Sequence, residues 1–513
     1  MKKGILGIAL ALLCSACAGG PPVALSGPIV EQPFAAEGEG LTIGFVADTQ
    51  IQTRKNFNDV RFYRGRTEDA MFSVSVRPPA LDWAARSILD FDLDQLESNG
   101  ADAIFYLGDG ANNGCYDEFA IGFQDGLEPA ENDRGILRLL ADFRTKSGIP
   151  VYFVIGNHDI LGAGSTSKEA RRDSFCEDVS EGNNRSLVKA EVIGLVERFN
   201  RGNEGYGTGW RYRSNFDEAQ INRNCGTNPE TQHRRWGCYL SATLDHGTGD
   251  NAVQLLLLDT TDFASVSKSE FVGIDQEGLR GAMSFGSRNG EQTVSQSVWF
   301  DQHASDVVAL RIAMSHYDVP GLRKNLGFFN LSRKSQRFAD LFLSDTNPVT
   351  PTQDDAYVVT AHTHNSVNRE KEIPFKLHCG WLFCSSGGNI EIGELNVGST
   401  TDYSNYATLI RVNPAGENQM LYRPVDSDPG TCADVYSAIE TFDFEGDKSG
   451  WDAIGISRSN PTNYHDFDYT DLLPLWKNME AFAGTDNHRA KCIGLYAAAV
   501  EKGVDPMGRV APQ

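Results

Sequence analysis

Positive charge is scarce in this sequence of 513 residues. Lys and Arg number 46 against 69 Asp and Glu, and the formal net charge is -23. General nucleic-acid binders hold the phosphate backbone mainly with Lys and Arg, so this balance disfavours that class of protein. It does not exclude a small phosphorylated substrate, because bound metal cations change the local field. The apolar content of 40% is that of a globular protein with a full core.

A membrane-spanning apolar run is also missing from the amino terminus. Two lysines precede the apolar residues 5–13, a run too short to cross a bilayer, and small residues precede Cys17. The pattern resembles a bacterial lipoprotein signal, which implies a signal peptide over residues 1–17, a lipid on Cys17 that anchors the protein to a membrane, and export to the periplasm and outer membrane. Ordinary secretion stays open, because Cys14 stands where such signals usually carry leucine.

Cysteine pairs of the zinc-binding type are absent from the rest of the chain. Eight cysteines follow the targeting segment, and none of them forms a C-x-x-C pair. An even number in an oxidising compartment favours disulfide bonds over thiols. The sequence does not fix the pairing. Proximity suggests Cys225 with Cys238, Cys379 with Cys384, and Cys432 with Cys492, and Cys115 would then pair with Cys176.

Five short apolar runs each end in residues that can bind a metal or move a proton. Residues 151–155 are rich in β-branched and aromatic side chains and are predicted to form a buried strand. The run stops at Gly156, and Asn157, His158 and Asp159 follow, which indicates a site at the carboxyl end of a strand. The other runs are 43–47 before Asp48-Thr49-Gln50, 103–107 before Gly108-Asp109, 310–314 before Ser315-His316, and 357–360 before Ala361-His362-Thr363-His364.

In this order the series resembles the calcineurin-like metallophosphoesterase superfamily, whose motifs run D-x-H, G-D, G-N-H-[DE], H and G-H-x-H. The resemblance covers residues 41–425 and implies an α/β fold, specifically a four-layer α/β/β/α sandwich. Five ordered motifs are far harder to obtain by accident than any single one. Apolar residues at helical spacing over 79–97 and 135–146 predict helices between the first strands, the alternation typical of a layered α/β domain.

The resemblance implies a dinuclear centre that holds two divalent metal ions, with Mn, Fe, Zn and Ca as candidates. Asp109 would bridge the two ions. The first site would be completed by Asp48, Gln50 and His364, and the second by Asn157, His316 and His362.

The same resemblance implies how the reaction would proceed. A metal-bound or bridging hydroxide would attack phosphorus in line, and the cations would neutralise charge on the phosphoryl oxygens. His158 would bind no metal, and would protonate the leaving-group oxygen or hold the transition state. Asp159 would orient the neighbouring groups.

Two residues depart from the family pattern. Gln50 stands where most members have histidine, and an amide oxygen is a weaker and harder ligand than imidazole, which favours manganese, iron or calcium over zinc. Asn112 stands where purple acid phosphatases carry an iron-binding tyrosine and protein phosphatases carry an aspartate paired with the catalytic histidine. Without a tyrosinate ligand the protein is predicted to have no purple colour. Asn112 can still orient His158 by a hydrogen bond, although it supplies no charge.

The resemblance leaves several parts of the chain without a role. Residues 18–40, rich in Gly, Pro and Ala, are predicted to be a flexible linker. Residues 160–246 form a polar insertion with many arginines, which either covers the metal site and selects substrates or is a solvated surface. Residues 426–513 are predicted to form a small extension stapled by a disulfide bond.

The leading interpretation is a metal-dependent hydrolase of phosphoric esters, a phosphatase or a phosphodiesterase, that acts on a small phosphorylated substrate outside the inner membrane. The alternative is a non-catalytic binding or scaffold lipoprotein that retains the fold, which Gln50 and Asn112 motivate. An extracellular nuclease is a third interpretation, which the acidic balance disfavours.

Overall fold

The computed structural model describes the parts of the chain that hold the five predicted strands and most of the predicted site. Residues 1–17, most of the 18–40 linker, His364 and residues 427–513 lie outside them. Among the described helices, none combines the length and the apolar character that crossing a membrane requires. The described residues are 23–24, 29–32, 34, 40–51, 79–112, 114–124, 134–160, 187–225, 238–248, 252–261, 296–303, 310–317, 356–363, 367–379, 384–400, 406–413 and 420–426.

The strands form two sheets, and they are numbered here in chain order. They are β1 (Val23–Ala24), β2 (Val30–Glu31), β3 (Leu41–Val46), β4 (Ala103–Tyr106), β5 (Val151–Phe153), β6 (Trp210–Ser214), β7 (Ala242–His246), β8 (Val253–Leu258), β9 (Leu310–Ser315), β10 (Ala356–Thr360), β11 (Val367–Cys379), β12 (Cys384–Asn396), β13 (Tyr406–Val412) and β14 (Met420–Asp426). The α-helices are α1 (Pro79–Ser98), α2 (Tyr116–Phe119), α3 (Ile136–Ser147), α4 (Lys189–Arg201), α5 (Glu218–Cys225) and α6 (Gln296–His303). A 3-10 turn spans His158–Ile160.

Both sheets are mixed, with parallel strands near the middle. The six-stranded sheet has the order β2-β14-β13-β3-β4-β5, in which β3, β4 and β5 run parallel and β13 pairs antiparallel with β3. The eight-stranded sheet has the order β1-β12-β10-β9-β8-β7-β6, with β11 paired to β12. Its strands β8, β9, β10 and β12 are parallel. The α/β class and the predicted strands are therefore confirmed.

Two apolar cores separate the layers. One lies between the sheets, where Phe45 and Phe105 of the six-stranded sheet share a cluster with Ile312 and Tyr357 of the eight-stranded sheet. The other lies on the outer face of the six-stranded sheet, where α1, α3 and α4 bury their apolar sides. The helices predicted over 79–97 and 135–146 are α1 and α3, and α3 ends at Gly148, whose φ of 76° suits a residue without a side chain.

The predicted insertion contributes to the core of the fold. Helix α4 is buried along most of its length, and β6 and β7 extend the eight-stranded sheet. Periodic apolar residues such as Val192, Val196 and Phe199 make this helix amphipathic, although polar neighbours surround it in the sequence. The described parts of the 160–246 insertion therefore include a buried helix and two strands of a sheet. Whether the rest covers the site stays a prediction.

Two asparagines of this segment complete the edge of the six-stranded sheet. Asn200 accepts a hydrogen bond from the Phe153 amide at 2.8 Å and donates one to its carbonyl at 3.1 Å. Asn203 accepts a hydrogen bond from the Val151 amide at 2.9 Å and donates one to the Val151 carbonyl at 2.6 Å. Both asparagines are buried. Because an amide side chain carries the same donor and acceptor as a peptide group, the pair substitutes for a neighbouring strand along β5.

One predicted disulfide bond joins the end of α5 to the residues before β7. Cys225 and Cys238 are bonded, as their proximity suggested. Cys115 also takes part in a disulfide bond, and Cys176, its predicted partner, lies outside the described residues. Cys379 and Cys384 are paired in the backbone register of the β11–β12 ladder, while Cys432 and Cys492 fall outside the described ranges.

Candidate metal centre

The carboxyl ends of five strands meet at one edge of the two sheets. This convergence follows from the parallel order of β3, β4 and β5 in one sheet and of β9 and β10 in the other. Nearly all of the side chains brought together are buried, and His362 is half-buried. They are Asp48 and Gln50 after β3, Asp109 and Asn112 after β4, Asn157, His158 and Asp159 after β5, His316 after β9, and His362 after β10.

His316 Nε2 lies at the centre of a cluster of candidate ligand atoms. It is 2.9 Å from Asn157 Oδ1, 3.2 Å from Asp109 Oδ2 and 3.2 Å from His362 Nδ1. Asp109, His316 and His362 each offer one ligand atom, and these atoms lie within 4.8 Å of one another. Ligands that share one cation at about 2.1 Å stand about 3.0–3.4 Å apart, so the spacing fits a metal ion.

The orientation of the His316 ring also fits a metal ligand. Its Nδ1 lies 2.7 Å from the Leu107 carbonyl oxygen, which can only accept a hydrogen bond, so Nδ1 carries the proton. Neutral His316 therefore presents a lone pair at Nε2, where the oxygens of Asn157 and Asp109 present lone pairs as well. Lone pairs that converge in a buried place require a positive charge, which a metal ion or a proton supplies.

The residues predicted for the first metal lie beside this cluster. Asp48 Oδ2 accepts a hydrogen bond from the His362 amide at 3.4 Å. Gln50 is 3% exposed, and within the described part of the chain its Oε1 has no hydrogen-bond partner. A buried amide oxygen without a partner is costly unless it binds something, which fits a ligand role. His364, the remaining predicted ligand, lies outside the described residues.

Backbone strain is concentrated at this centre. Asp48, Gln50, Asp109 and His362 have φ values of 56°, 49°, 57° and 67°, and they are the only residues other than glycine with positive φ in the described ranges. The left-handed region costs such residues energy, which the surrounding structure must offset. All four were predicted as metal ligands, so the strain coincides with the candidate site.

Asp159 fixes the loops that carry the candidate ligands. Its carboxylate accepts hydrogen bonds from the amides of Asp109, Gly110, Ala111 and Gly156 at 2.8–3.0 Å. Burial, and after it the charge of Asp109, raises the pKa of Asp159 to about 7, against the effect of the amide donors. The sequence-based role of orienting neighbouring groups agrees with these contacts.

The glycines of the motifs are required by close backbone approach. A side chain at Gly156 would place its Cβ 2.2 Å from both the amide nitrogen and Oδ1 of Asp109. At Gly108, where φ is 90°, a Cβ would lie 2.6 Å from the Gly156 nitrogen. A larger residue at Gly156 would displace the predicted bridging carboxylate, and one at Gly108 would displace the backbone of Gly156 and the ring of His316.

Two contacts of His158 at hydrogen-bond distance each involve a backbone group. The His158 amide donates to Asp109 Oδ1 at 2.7 Å, and His158 Nδ1 lies 2.7 Å from the backbone carbonyl oxygen of Asn112. Residue 112 thus contacts His158 through its main chain, and its role in orienting this histidine stays a prediction. The bond places the proton of the neutral ring on Nδ1 and assigns proton exchange with a ligand to Nε2.

Asp109 and His316 shift each other's pKa values. Burial by itself raises the pKa of Asp109, but the imidazoles of His316, His158 and His362 outweigh this effect and hold it well below its ordinary value. Burial lowers the pKa of His316, and the Asp109 carboxylate more than reverses this and raises it to about 9. In the metal-free protein the two groups therefore form an ion pair.

Sequence reasoning missed three aromatic and hydroxyl residues that touch the centre. Tyr317 is buried, and its ring centroid lies 4.2 Å from that of His362. Tyr106 accepts a hydrogen bond from the Thr49 amide at 2.9 Å. Thr400 donates to the Thr49 hydroxyl at 2.8 Å. Tyr106 and Tyr317 stand next to the Gly108-Asp109 and His316 motifs, and that position was the available signal for them.

Comparison with known proteins does not identify a family for this chain. No family model matches the chain, and no curated protein matches it. Among the solved structures that match is a dimetal phosphatase from Danio rerio, with 12% sequence identity and a TM-score of 0.33 over 76% of this chain and 97% of that chain. A likeness this slight carries no argument about the present chain.

Proposed function

We propose that this protein is a metal-dependent hydrolase of phosphoric esters with the four-layer fold of calcineurin-like metallophosphoesterases. The observation that supports the proposal is the convergence of Asp109, Asn157 and His362 around His316 Nε2, from strands of two different sheets. The order of the five motifs in the sequence is the second support. A single ion and a purely structural metal are other occupants that the test below distinguishes.

The proposed metal ligands are those predicted from the sequence. Asp109, Asn157, His316 and His362 would hold one divalent ion, and Asp109 with Asp48, Gln50 and His364 would hold the other. Bound divalent ions at such a centre lower the pKa of water and neutralise charge on phosphoryl oxygens. The oxygen donors of Asp48 and Gln50 favour manganese, iron or calcium for the first ion.

Protein side chains would transfer the proton and hold the loops of the site in place. His158, fixed through its amide and Nδ1, would donate a proton from Nε2 to the leaving-group oxygen of the ester. Asp159 would keep the loops after β4 and β5 in place through its four amide contacts. Burial of these groups would exclude bulk water and strengthen their electrostatic interactions with a substrate.

The location of the protein is part of the same proposal. The lysines, the short apolar run and Cys17 support export and a lipid anchor, with the domain outside the inner membrane. Mass spectrometry of the mature amino terminus tests this: a lipid-modified Cys17 is expected, and an unmodified terminus elsewhere would indicate ordinary secretion.

The activity is tested by metal analysis of the purified full chain, run beside hydrolysis of a nitrophenyl phosphate monoester and the matching bis-ester. Manganese, zinc, iron or calcium is supplied in turn. We expect about two ions per chain and turnover with at least one ester. The preferred ester decides between phosphatase and diesterase, and turnover that survives chelation would refute the proposal.

Two variants and one control separate metal binding from chemistry. Asp109→Ala is expected to lose metal and turnover together. His158→Ala is expected to keep the metal and lose turnover by about 10²–10⁴-fold, the usual contribution of a general acid. His303 lies exposed on α6, so His303→Ala should change neither quantity. Absence of metal and turnover under every condition would favour the binding or scaffold protein that Gln50 and Asn112 motivate.

A further inference from the structure

We propose that Tyr106 and Thr400 are positioning residues for the first metal ion, and we call their two hydroxyls the hydroxyl clasp. The inference rests on the proposed function only as far as the metal centre, because its readout is metal binding. The clasp holds Thr49, the residue between the two predicted first-site ligands Asp48 and Gln50.

The segment that carries these ligands alternates in conformation. Asp48 and Gln50 both have left-handed φ, with Thr49 between them. The Asp48 and Gln50 amides donate to the carbonyls of Gly108 and Asp109 at 3.0 and 2.9 Å, which fixes one side of the segment to the loop after β4. The Thr49 amide does not join that ladder and donates to the Tyr106 hydroxyl instead.

Tyr106 supplies the partner that the Thr49 amide needs. Its hydroxyl accepts from that amide at 2.9 Å and lies 3.4 Å from the Asp109 carbonyl oxygen. Tyr106 and Thr49 are fully buried, so no bulk water replaces the hydroxyl if it is removed. The side chain therefore connects the first-site segment to the loop of the predicted bridging carboxylate.

Thr400 holds the same residue from the other sheet. Its hydroxyl lies 2.8 Å from the Thr49 hydroxyl and 3.2 Å from the Ala47 carbonyl oxygen, and its amide donates to that carbonyl at 3.1 Å. Thr400 follows β12 of the eight-stranded sheet, so the clasp also ties the first-site segment across the interface between the sheets.

Among the predicted ligands of the second ion, the clasp contacts the bridging Asp109, through its backbone carbonyl oxygen at 3.4 Å from the Tyr106 hydroxyl, and it has no contact with the other three. Asn157, His316 and His362 are carried by the loops after β5, β9 and β10, and His316 is oriented by the Leu107 carbonyl. Removal of a clasp hydroxyl should therefore lower the affinity for the first ion and leave the affinity for the second ion unchanged. Groups that orient ligands typically contribute 10–100-fold in metal affinity, so a loss of about that size is expected for the first ion.

The test is a calorimetric titration with Mn²⁺ of the full chain, from which metal has first been removed with a chelator. Tyr106→Phe should weaken one of two binding events by about 10–100-fold and leave the other unchanged. Tyr152→Phe is the matched control, because Tyr152 is a buried tyrosine of the neighbouring strand in the core between the sheets. It should bind both ions as the wild type does. Two unchanged events in Tyr106→Phe would overturn the inference.

A second pair of variants keeps the inference testable if Tyr106→Phe does not fold. Thr400→Val removes the hydroxyl at nearly constant volume and should weaken the same event, whereas Thr400→Ser keeps the hydroxyl and should restore it. Equal weakening of both events by Thr400→Val would indicate general loosening and refute a positioning role. A wild type that binds two ions but hydrolyses no ester would refute the proposed function alone, and one that binds fewer than two would refute both.

Discussion

The two asparagines that line β5 give the sharpest stability prediction. Asn200→Ala leaves the amide and the carbonyl of Phe153 without their partners, and Phe153 is 1% exposed. A buried group that loses its partner costs about 1–3 kcal/mol. A carbonyl oxygen tolerates the loss of its partner better than an amide does. The free energy of unfolding is therefore expected to fall by about 2–4 kcal/mol for the two groups together.

Asn203→Ala should cost more than Asn200→Ala. Besides its two bonds to Val151, Asn203 accepts from Arg144 at 3.2 Å and donates to the Asn200 carbonyl at 2.9 Å. Arg144 is buried and also donates to the Phe199 carbonyl, so it would lose one of its fixed acceptors. A decrease of about 3–5 kcal/mol in the free energy of unfolding is expected.

Urea unfolding of the chelated protein, followed by near-ultraviolet circular dichroism, measures these losses. Asn222→Ala is the control, because Asn222 is an exposed helical asparagine, and its change should stay within about 0.5 kcal/mol. Hydrogen exchange adds a local readout, since the Val151 and Phe153 amides should lose protection before the rest of the sheet. Losses below about 0.5 kcal/mol in both variants, with protection intact, would refute the substitute-strand interpretation.

Two further predictions concern the proposed metal centre. Because His316 must lose its proton to bind metal and its pKa is raised to about 9, Mn²⁺ affinity should rise with pH up to about 9 and then level off, with proton release at pH 7. In the metal-free protein the stabilising effect of protonated His316 is complete below its unfolded pKa of about 6.5 and is lost as pH rises through 9. Titration in buffers of different ionisation enthalpy checks the proton count, and none released at pH 7 would contradict the argument. Gln50→His should shift the preference of the first ion toward zinc, measured by competition with manganese, and an unchanged preference would remove Gln50 from the ligands.

Features that are local in sequence were predictable. A β-branched run that stops at glycine predicts a strand end, and the residue types that follow identify candidate ligands, so β5 with Asn157 and His158 could be anticipated. The meeting of His316 with Asn157 followed from the family resemblance, because their separation of 159 positions gives no local signal. The parallel order of strands in two sheets is what brings them together.

The supporting contacts were not predictable for a physical reason. Asn200 and Asn203 lie in a segment with many polar residues, where an asparagine is ordinarily solvated, and their role depends on lying beside the edge of β5. The buried pair of Lys189 and Asp259 is similar: their charged atoms are 3.1 Å apart although 70 positions separate the residues. Such partners can be identified only when the order of the strands in the sheets is known. A buried polar residue then raises the question of what it satisfies.

The distribution of strain connects these supports to the proposed function. Four left-handed residues at about 1–3 kcal/mol each would destabilise the apo-protein appreciably if nothing opposed them. The opposing contacts are concentrated at the same place: Asp159 satisfies four amides, and Tyr106 and Thr400 hold Thr49 between two of the strained residues. A fold that only had to be stable would have no reason to keep both the strain and its compensation. Candidate ligands held in advance at the spacing of a cation would give such a reason, because less ordering would then be required when metal binds.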